Sequence, residues 1–488
     1  MSGACATLAA VTETPAAPPH AVAPPGLSAA DLAAITGGRL LRRSARPVRG
    51  GAVDSRLVEP GNLFVALAGA HTDGHRFLVE AAARGAAALV VARAPEDTAA
   101  LGDVTVLLVP DALAALQAIG GAWRTRFEPL VVGITGSVAK TLTKEATAAV
   151  LGTRLPTLRS EGNQNNEIGL PLTLLRLGPE HRAAVLEMGM YVGGEIATLA
   201  ALGRPSIGIV TAIAPVHLER AGSMEAIVDA KAELLEALPA AGAAIINGDD
   251  PVVAAMVGRT RARVLSYGLG PAADVRAERV VAGGPAGMRF ELVAREPRAT
   301  RFPVAITALG RHSVANALAA AAVGLVAGLD DAEIAAGLAT PWETASGRRS
   351  RLVRVGAISV LDDSYNAAPP SMGAALDLLA TLGGRPVAVL GEMLELGPLH
   401  DAAHREVGEA AARVVAELVV VGPGAAGIAD GAEAAGLEPE RIRRVADRAA
   451  ALVALDAILR DGDVVLVKAS RGAALDELAD ALFEGRRR

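Results

Sequence analysis

Only four of the 47 basic residues are lysines: Lys140, Lys144, Lys231 and Lys468. Where plain positive charge suffices this composition uses arginine, so a surviving lysine marks a place where the ammonium itself matters. Two of the four lie in GITGSVAKTLTKE, which follows an apolar strand and opens a helical pattern. In that setting successive backbone N–H groups and a helix N-terminus can cradle phosphate. Gly136, Ser137, Val138 and Ala139 form the turn. Lys140 would reach the β and γ phosphates of ATP, and the Thr141 hydroxyl would bind the Mg2+. A bland helix start is the alternative. Ala139 departs from the usual pattern, which has glycine before the lysine. If that residue needs positive φ, its methyl group costs about 1 to 2 kcal/mol. Asparagine is rare as well, and three of its seven copies crowd into Asn163, Asn165 and Asn166.

The elements that would carry these residues are α/β. The 488 residues predict about three domains with ample buried cores. Residues 1–25, rich in proline and alanine, read as a disordered leader. A small α/β domain is expected over 26–110, where LFVAL and AAALVVA alternate with amphipathic stretches, and a helix over Asp111 to Arg126 leads away from it. A central P-loop mononucleotide-binding domain with a mainly parallel sheet is expected over 111–343. Its strands are LVVGIT, AAVLEMG, IGIVTAI and AAIINGD. A C-terminal Rossmann-like domain over 344–488 repeats strand and helix through AISVLDDSYN, PVAVLGEM, AELVVVG and DVVLVKAS.

Composition narrows the function. A net charge of -6 leaves no basic face for a nucleic-acid backbone. One cysteine, Cys5, builds neither a disulfide framework nor a thiolate metal site, which fits a reducing cytoplasm. The longest apolar run, Ala315 to Leu329, is too short for a membrane span, and no stable membrane insertion is expected.

With the turn placed, EGNQNNEIGLPLTLL, EMGMYVGGEIATL, PVHLERAGSMEAIVDAKAEL, INGDDP and DDSYNAAP follow in order. From about Leu27 to Leu482 the chain resembles the Mur ligases of peptidoglycan synthesis. The NQNNEIGLPLTLL and DSYNAAP blocks favour the member acting on UDP-N-acetylmuramoyl-tripeptide and D-alanyl-D-alanine. The resemblance implies three domains: one binding the uridine nucleotide, a central ATPase, and one presenting the amino acceptor. It implies that Thr141 and Glu187 hold magnesium, that His217 holds a second one, and that Lys231 is carbamylated. Only a primary amine can take up carbon dioxide, and doing so converts a cation into an anion. A solvated helix lysine and a half-buried histidine are the plainer alternatives.

By the same resemblance, Asn163, Asn165 and Asn166 lie between nucleotide and muramoyl substrate. Asn247 and Tyr267 lie near adenine, although Tyr267 could simply fill the core. Arg348 and Asp363 would contact the nucleotide as the domains close, or serve an interdomain salt bridge. Ser55 and Arg56 in VDSRLVEPGNLFVALAG would contact the uridine diphosphate. Lys468, Ser470 and Arg471 in LVKASRGAALDEL would lie near the dipeptide or uridine substrate. Ser313, Ala368, Ala469 and Ala473 depart from the family pattern.

The expected enzyme is an ATP-dependent amide ligase acting as a monomer. A sibling ligase adding another amino acid, or a nucleotide-binding homologue with impaired catalysis, is the alternative. Gly422, Gly424 and Gly427 spell GxGxxG after AELVVV, which is read as a plain Rossmann-like turn rather than a dinucleotide site.

Overall fold

The computed structural model describes residues 26–69, 72–342 and 347–485; the leader expected over 1–25 lies outside them. The chain builds three α/β units, each around its own sheet. In the first, strands Gly51–Ala52, Leu63–Val65, Ala88–Val91 and Thr105–Leu108 run parallel, and Arg39–Arg42 joins antiparallel at one edge. The helix Ala112–Arg124 starts where the Asp111 carboxylate accepts from Leu113 N and Ala114 N, satisfying donors that the first turn cannot pair internally. Its buried Leu116, Ile119 and Trp123 enter a core shared with Leu63 of the first unit and Leu186 of the second. That shared core fixes the first sheet against the central one.

The central sheet has nine strands. Seven run parallel, with Leu130–Thr135 between Ala183–Glu187 and Ile207–Val210, and Ala243–Asn247 further out. Val132 and Ile134 are fully buried, each worth about 1.5 to 3 kcal/mol of burial. From the last of these seven, Val275–Ala282, the sheet is extended by two antiparallel strands, Met288–Ala294 and Thr300–Ile306, a meander which the parallel reading of the sequence does not announce. The apolar run around Ala315 belongs to the helix Arg311–Val326, buried in the core of this unit. Among the described residues no helix is long and apolar enough to cross a membrane.

The third unit is a six-stranded sheet. Ile358–Asp362, Asp463–Lys468, Arg385–Gly391, Glu417–Val421 and Ile442–Val445 lie parallel in that spatial order, with Arg351–Val355 antiparallel at the edge. Helices cover both faces, one core holding Met372, Ala411 and Ile428 and the other Leu455 and Leu478. The chain is thus an α/β protein of three units, with the carboxyl ends of parallel strands available for ligands.

Candidate active site

At the end of Leu130–Thr135 the backbone turns sharply. Gly136 sits at φ 148, and a β-carbon there would run into Thr211 Oγ1. Thr211 in turn donates to Val138 O at 2.6 Å and so shapes the turn from the neighbouring strand end. Ser137 Oγ donates to Ala214 O and accepts from Ala214 N, both at 2.9 Å. Ala139 adopts φ 68, the left-handed conformation anticipated as strained, and no side chain caps the helix Lys140–Gly152 that it opens. The orphan N–H groups of that first turn remain for a ligand. Lys140 Nζ folds back on Gly136 O at 2.7 Å and Ser137 O at 3.2 Å. Burial lowers its pKa; Glu187 opposes the shift and Arg349 reinforces it.

Glu187, at the end of the adjacent strand, is 2% exposed. Its carboxylate accepts from Thr141 Oγ1 at 3.0 Å and Asn165 Nδ2 at 2.9 Å. Lys144 Nζ stands 3.9 Å away, donating to Ser160 O at 2.7 Å and pairing with Glu145 at 3.0 Å. Sequence reasoning assigned Lys144 no role, although its rarity and its position one helical turn beyond Lys140 were visible. Of the three clustered asparagines, Asn165 reaches this centre. Asn166 Oδ1 instead accepts from Gly169 N at 2.9 Å at the start of the next helix, and Asn163 is exposed.

Among the described residues no group of three or more His, Cys, Asp or Glu suited to a metal occurs, yet His217 and Lys231 lie close enough to Lys140 to feel its charge, as Glu187 does. His217, at φ 61, pairs through Nδ1 with Glu395 of the third unit. Its ring meets Tyr191 edge-on at 4.9 Å, and Arg220 lies over Tyr191 at 4.6 Å. Burial lowers the imidazole pKa; Glu395 opposes this, whereas Lys140 and Lys231 add to it. Lys231, on the helix Met224–Glu236, is 3% exposed. Burial and then the Lys140 charge push its amine well below the ordinary lysine range, against the pull of Glu233.

Other expected contacts are redistributed. Asn247 Nδ2 donates to Thr211 O at 2.8 Å, tying it to the turn. The Tyr267 ring, read either as lying near adenine or as filling the core, is 2% exposed and belongs to the central core, its hydroxyl 3.4 Å from Thr211 O. Arg348 is committed within the third unit to Asp480 at 2.6 Å and Asp362 at 3.2 Å. The next residue, Arg349, lies 3.7 Å over Tyr365 and is the arginine whose charge Lys140 feels. Asp363 and Lys468, expected separately at nucleotide and acceptor, form one buried ion pair at 2.5 Å. Asp363 also accepts from Ser350 N at 2.9 Å. Ser470 Oγ accepts from Leu394 N at 2.9 Å, and Arg471 lies 5.7 Å from the Tyr365 ring.

In the first unit Ser55 Oγ donates to Glu80 at 3.0 Å and would leave that carboxylate to donate to a diphosphate, whereas the exposed Arg56, paired with Asp54 at 2.6 Å, has further donors on its guanidinium. At the GxGxxG turn Gly424 makes room for Glu392: a β-carbon there would run into the carboxylate, which His400 Nε2 holds at 3.1 Å.

The glycine turn, the uncapped helix and the carboxylate on the neighbouring strand make the central unit a P-loop mononucleotide-binding domain. Three family patterns cover most of the described chain: Mur ligase family, catalytic domain, over 48–124; Mur ligase middle domain, over 134–324; and Mur ligase, glutamate ligase domain, over 347–471. A UDP-N-acetylmuramoyl-tripeptide–D-alanyl-D-alanine ligase from Mycobacterium leprae is 38% identical, covering 93% of this chain and 98% of its own. The Escherichia coli protein of the same name is also 38% identical, over 88% and 93%. A crystal structure of MurF from Acinetobacter baumannii superposes with TM-score 0.83 at 28% identity, covering 94% of this chain and 99% of that one. MurF from Thermotoga maritima in complex with ADP gives 0.77 at 27% identity, over 90% and 98%. The chain belongs to the Mur ligase family.

Ala139→Gly removes a β-carbon from a left-handed residue and is expected to stabilise the protein by about 1 kcal/mol in denaturant unfolding, with tighter ATP binding in calorimetry. No gain in either measurement contradicts strain at this turn. Asp363→Asn leaves the buried Lys468 ammonium without its counter-charge and is expected to cost about 3 to 5 kcal/mol of stability, read by the same unfolding experiment.

Proposed function

We propose that this chain is an ATP-dependent ligase joining D-alanyl-D-alanine to UDP-N-acetylmuramoyl-tripeptide in the synthesis of peptidoglycan precursors. The observation that carries this reading is the near full-length likeness to the Mycobacterium leprae ligase of that name, at 38% identity. We divide the work among a uridine-nucleotide domain at 26–110, an ATP domain at 111–343 and an acceptor domain at 344–488, acting as a monomer in the cytoplasm.

One carboxylate oxygen of the tripeptide bonds to the γ-phosphorus of ATP. The bridging P–O bond breaks, giving ADP and an acyl phosphate. The dipeptide amine then attacks the acyl carbon; the C–O bond to phosphate breaks, the amine proton is lost, and inorganic phosphate leaves. Lys140 balances negative charge gathering on the transferred group, and the turn from Gly136 to Ala139 orients it through backbone N–H groups.

Thr141 and Glu187, hard oxygen donors 3.0 Å apart, fit magnesium. When bound, the ion supplies positive charge against the phosphates. His217, whose Nδ1 faces Glu395, keeps Nε2 for the second magnesium of our assignment. The depressed basicity of Lys231 favours a neutral amine. Its nitrogen can bond to carbon dioxide with loss of a proton, giving a carbamate beside the positive charge of Lys140. Asn163, Asn165 and Asn166 are assigned to the loop between nucleotide and tripeptide, and Ser55 and Arg56 to the uridine diphosphate. Asn247, Arg348 and Asp363 are assigned to the nucleotide as the domains close, and Lys468, Ser470 and Arg471 to the acceptor side.

Phosphate release should require ATP, UDP-tripeptide and D-alanyl-D-alanine together, and stop on chelation of magnesium. Release that requires a different amine would identify a sibling ligase. No release under any combination would identify a nucleotide-binding homologue, consistent with the strain at Ala139. Lys231→Ala should lose at least about tenfold in kcat and regain part of it with added short carboxylic acids. Absence of rescue by every such acid removes the case for a carbamate.

A further inference from the structure

Glu395 belongs to none of the motifs that identify the site, yet it makes three contacts with one short segment of the central unit. Its carboxylate pairs with His217 Nδ1 and lies 3.7 Å from Arg220 Nε, and its carbonyl accepts from Glu219 N at 3.4 Å. Both members of the main contact are non-glycine residues in left-handed backbone, Glu395 at φ 64 and His217 at φ 61. Such conformations are disfavoured for L-residues and persist where surrounding contacts over-determine them. Gly397, at φ 54, brings the same loop against the Glu219 backbone.

The loop also points the other way. Leu394 N donates to Ser470 Oγ at 2.9 Å, and Ser470 N donates to Glu392 O at 2.9 Å. Adjacent residues of one loop therefore grip the acceptor-side serine and the nucleotide-side histidine. The Glu395 side chain is 29% exposed, so its removal opens no core cavity. A carboxylate on one ring nitrogen also fixes the tautomer and orientation of the other.

We propose that Glu395 is a positioning residue that fastens the acceptor unit to His217 and keeps water from the acyl phosphate until the dipeptide amine is in place. This rests on the ligase reading above. In the unfastened protein, water oxygen bonds to the acyl carbon, the C–O bond to phosphate breaks, and a proton is released. ATP is then consumed to regenerate the tripeptide carboxylate and free phosphate.

The test compares full-length Glu395→Ala and Glu395→Gln with the parent in three measurements. In Glu395→Ala, phosphate release without dipeptide should rise about fivefold or more relative to dipeptide-dependent release, and KM for the dipeptide should rise about tenfold. The Kd for ATP should stay within about twofold. Glu395→Gln keeps an oxygen acceptor for Nδ1 and should recover most of the coupling. Small-angle scattering with ATP analogue and UDP-tripeptide should give a larger radius of gyration for the alanine variant. Unchanged coupling and scattering in Glu395→Ala overturns the proposal, as does an equal loss in ATP affinity, which would mark a general structural role. If the parent itself releases no phosphate, the ligase reading fails, and the scattering comparison still decides whether Glu395 holds the units together.

Discussion

A carboxylate taken out of water must be given partners, because an unpaired buried charge costs several kcal/mol. Glu187 imposes that condition on the whole central unit. Its two oxygens draw a hydroxyl from the first turn of one helix and an amide from the loop after another strand, with an ammonium 3.9 Å away. Helix Lys140–Gly152, the asparagine loop and the strand Ala183–Glu187 are therefore held in one register by a single charge. The turn before the helix is constrained from the opposite side, where Thr211 fills the space that a side chain at Gly136 would need.

The fate of the lysines follows the same electrostatic logic. Lys144, Lys231 and Lys468 are all nearly inaccessible, at 0%, 3% and 2% exposure. Lys144 and Lys468 each saturate a compact ammonium with carbonyls and carboxylates. A planar guanidinium would not fit these point-like sites, whereas most of the surface ion pairs are formed by arginine. For Lys231 no such partner is found among the described residues, and burial, then the Lys140 charge, push its amine well below the ordinary lysine range.

The strands and the phosphate turn were legible because they depend on local signals: apolar runs, glycine at a sharp bend, a helical pattern directly after it. Ala139 could be singled out as strained for the same reason. What escaped depends on distant segments. His217 and Glu395 are 178 positions apart, and no local pattern pairs them. Tyr267 left a core role and a place near adenine both open, and its burial in the core follows from a strand register opposite Asn247 that no local pattern fixes. Arg348 matched a motif, yet Asp480, far along the chain, holds it, and the neighbouring Arg349 faces Tyr365. The antiparallel meander did leave a signal, the polar and apolar alternation of MRFELVA and TRFPVAI against the continuous apolar runs of the parallel strands, but this was not read as a change of direction.

The carboxylate seated at Gly424 bears on how far the third unit resembles a dinucleotide-binding sheet. In dinucleotide-binding sheets the glycine after the first strand lets pyrophosphate approach the backbone. Here the same vacancy is filled from within by Glu392, so an incoming polyanion meets a like charge where it would need bare N–H groups. The unit keeps the architecture of a dinucleotide-binding sheet with a carboxylate standing where a pyrophosphate would approach the backbone.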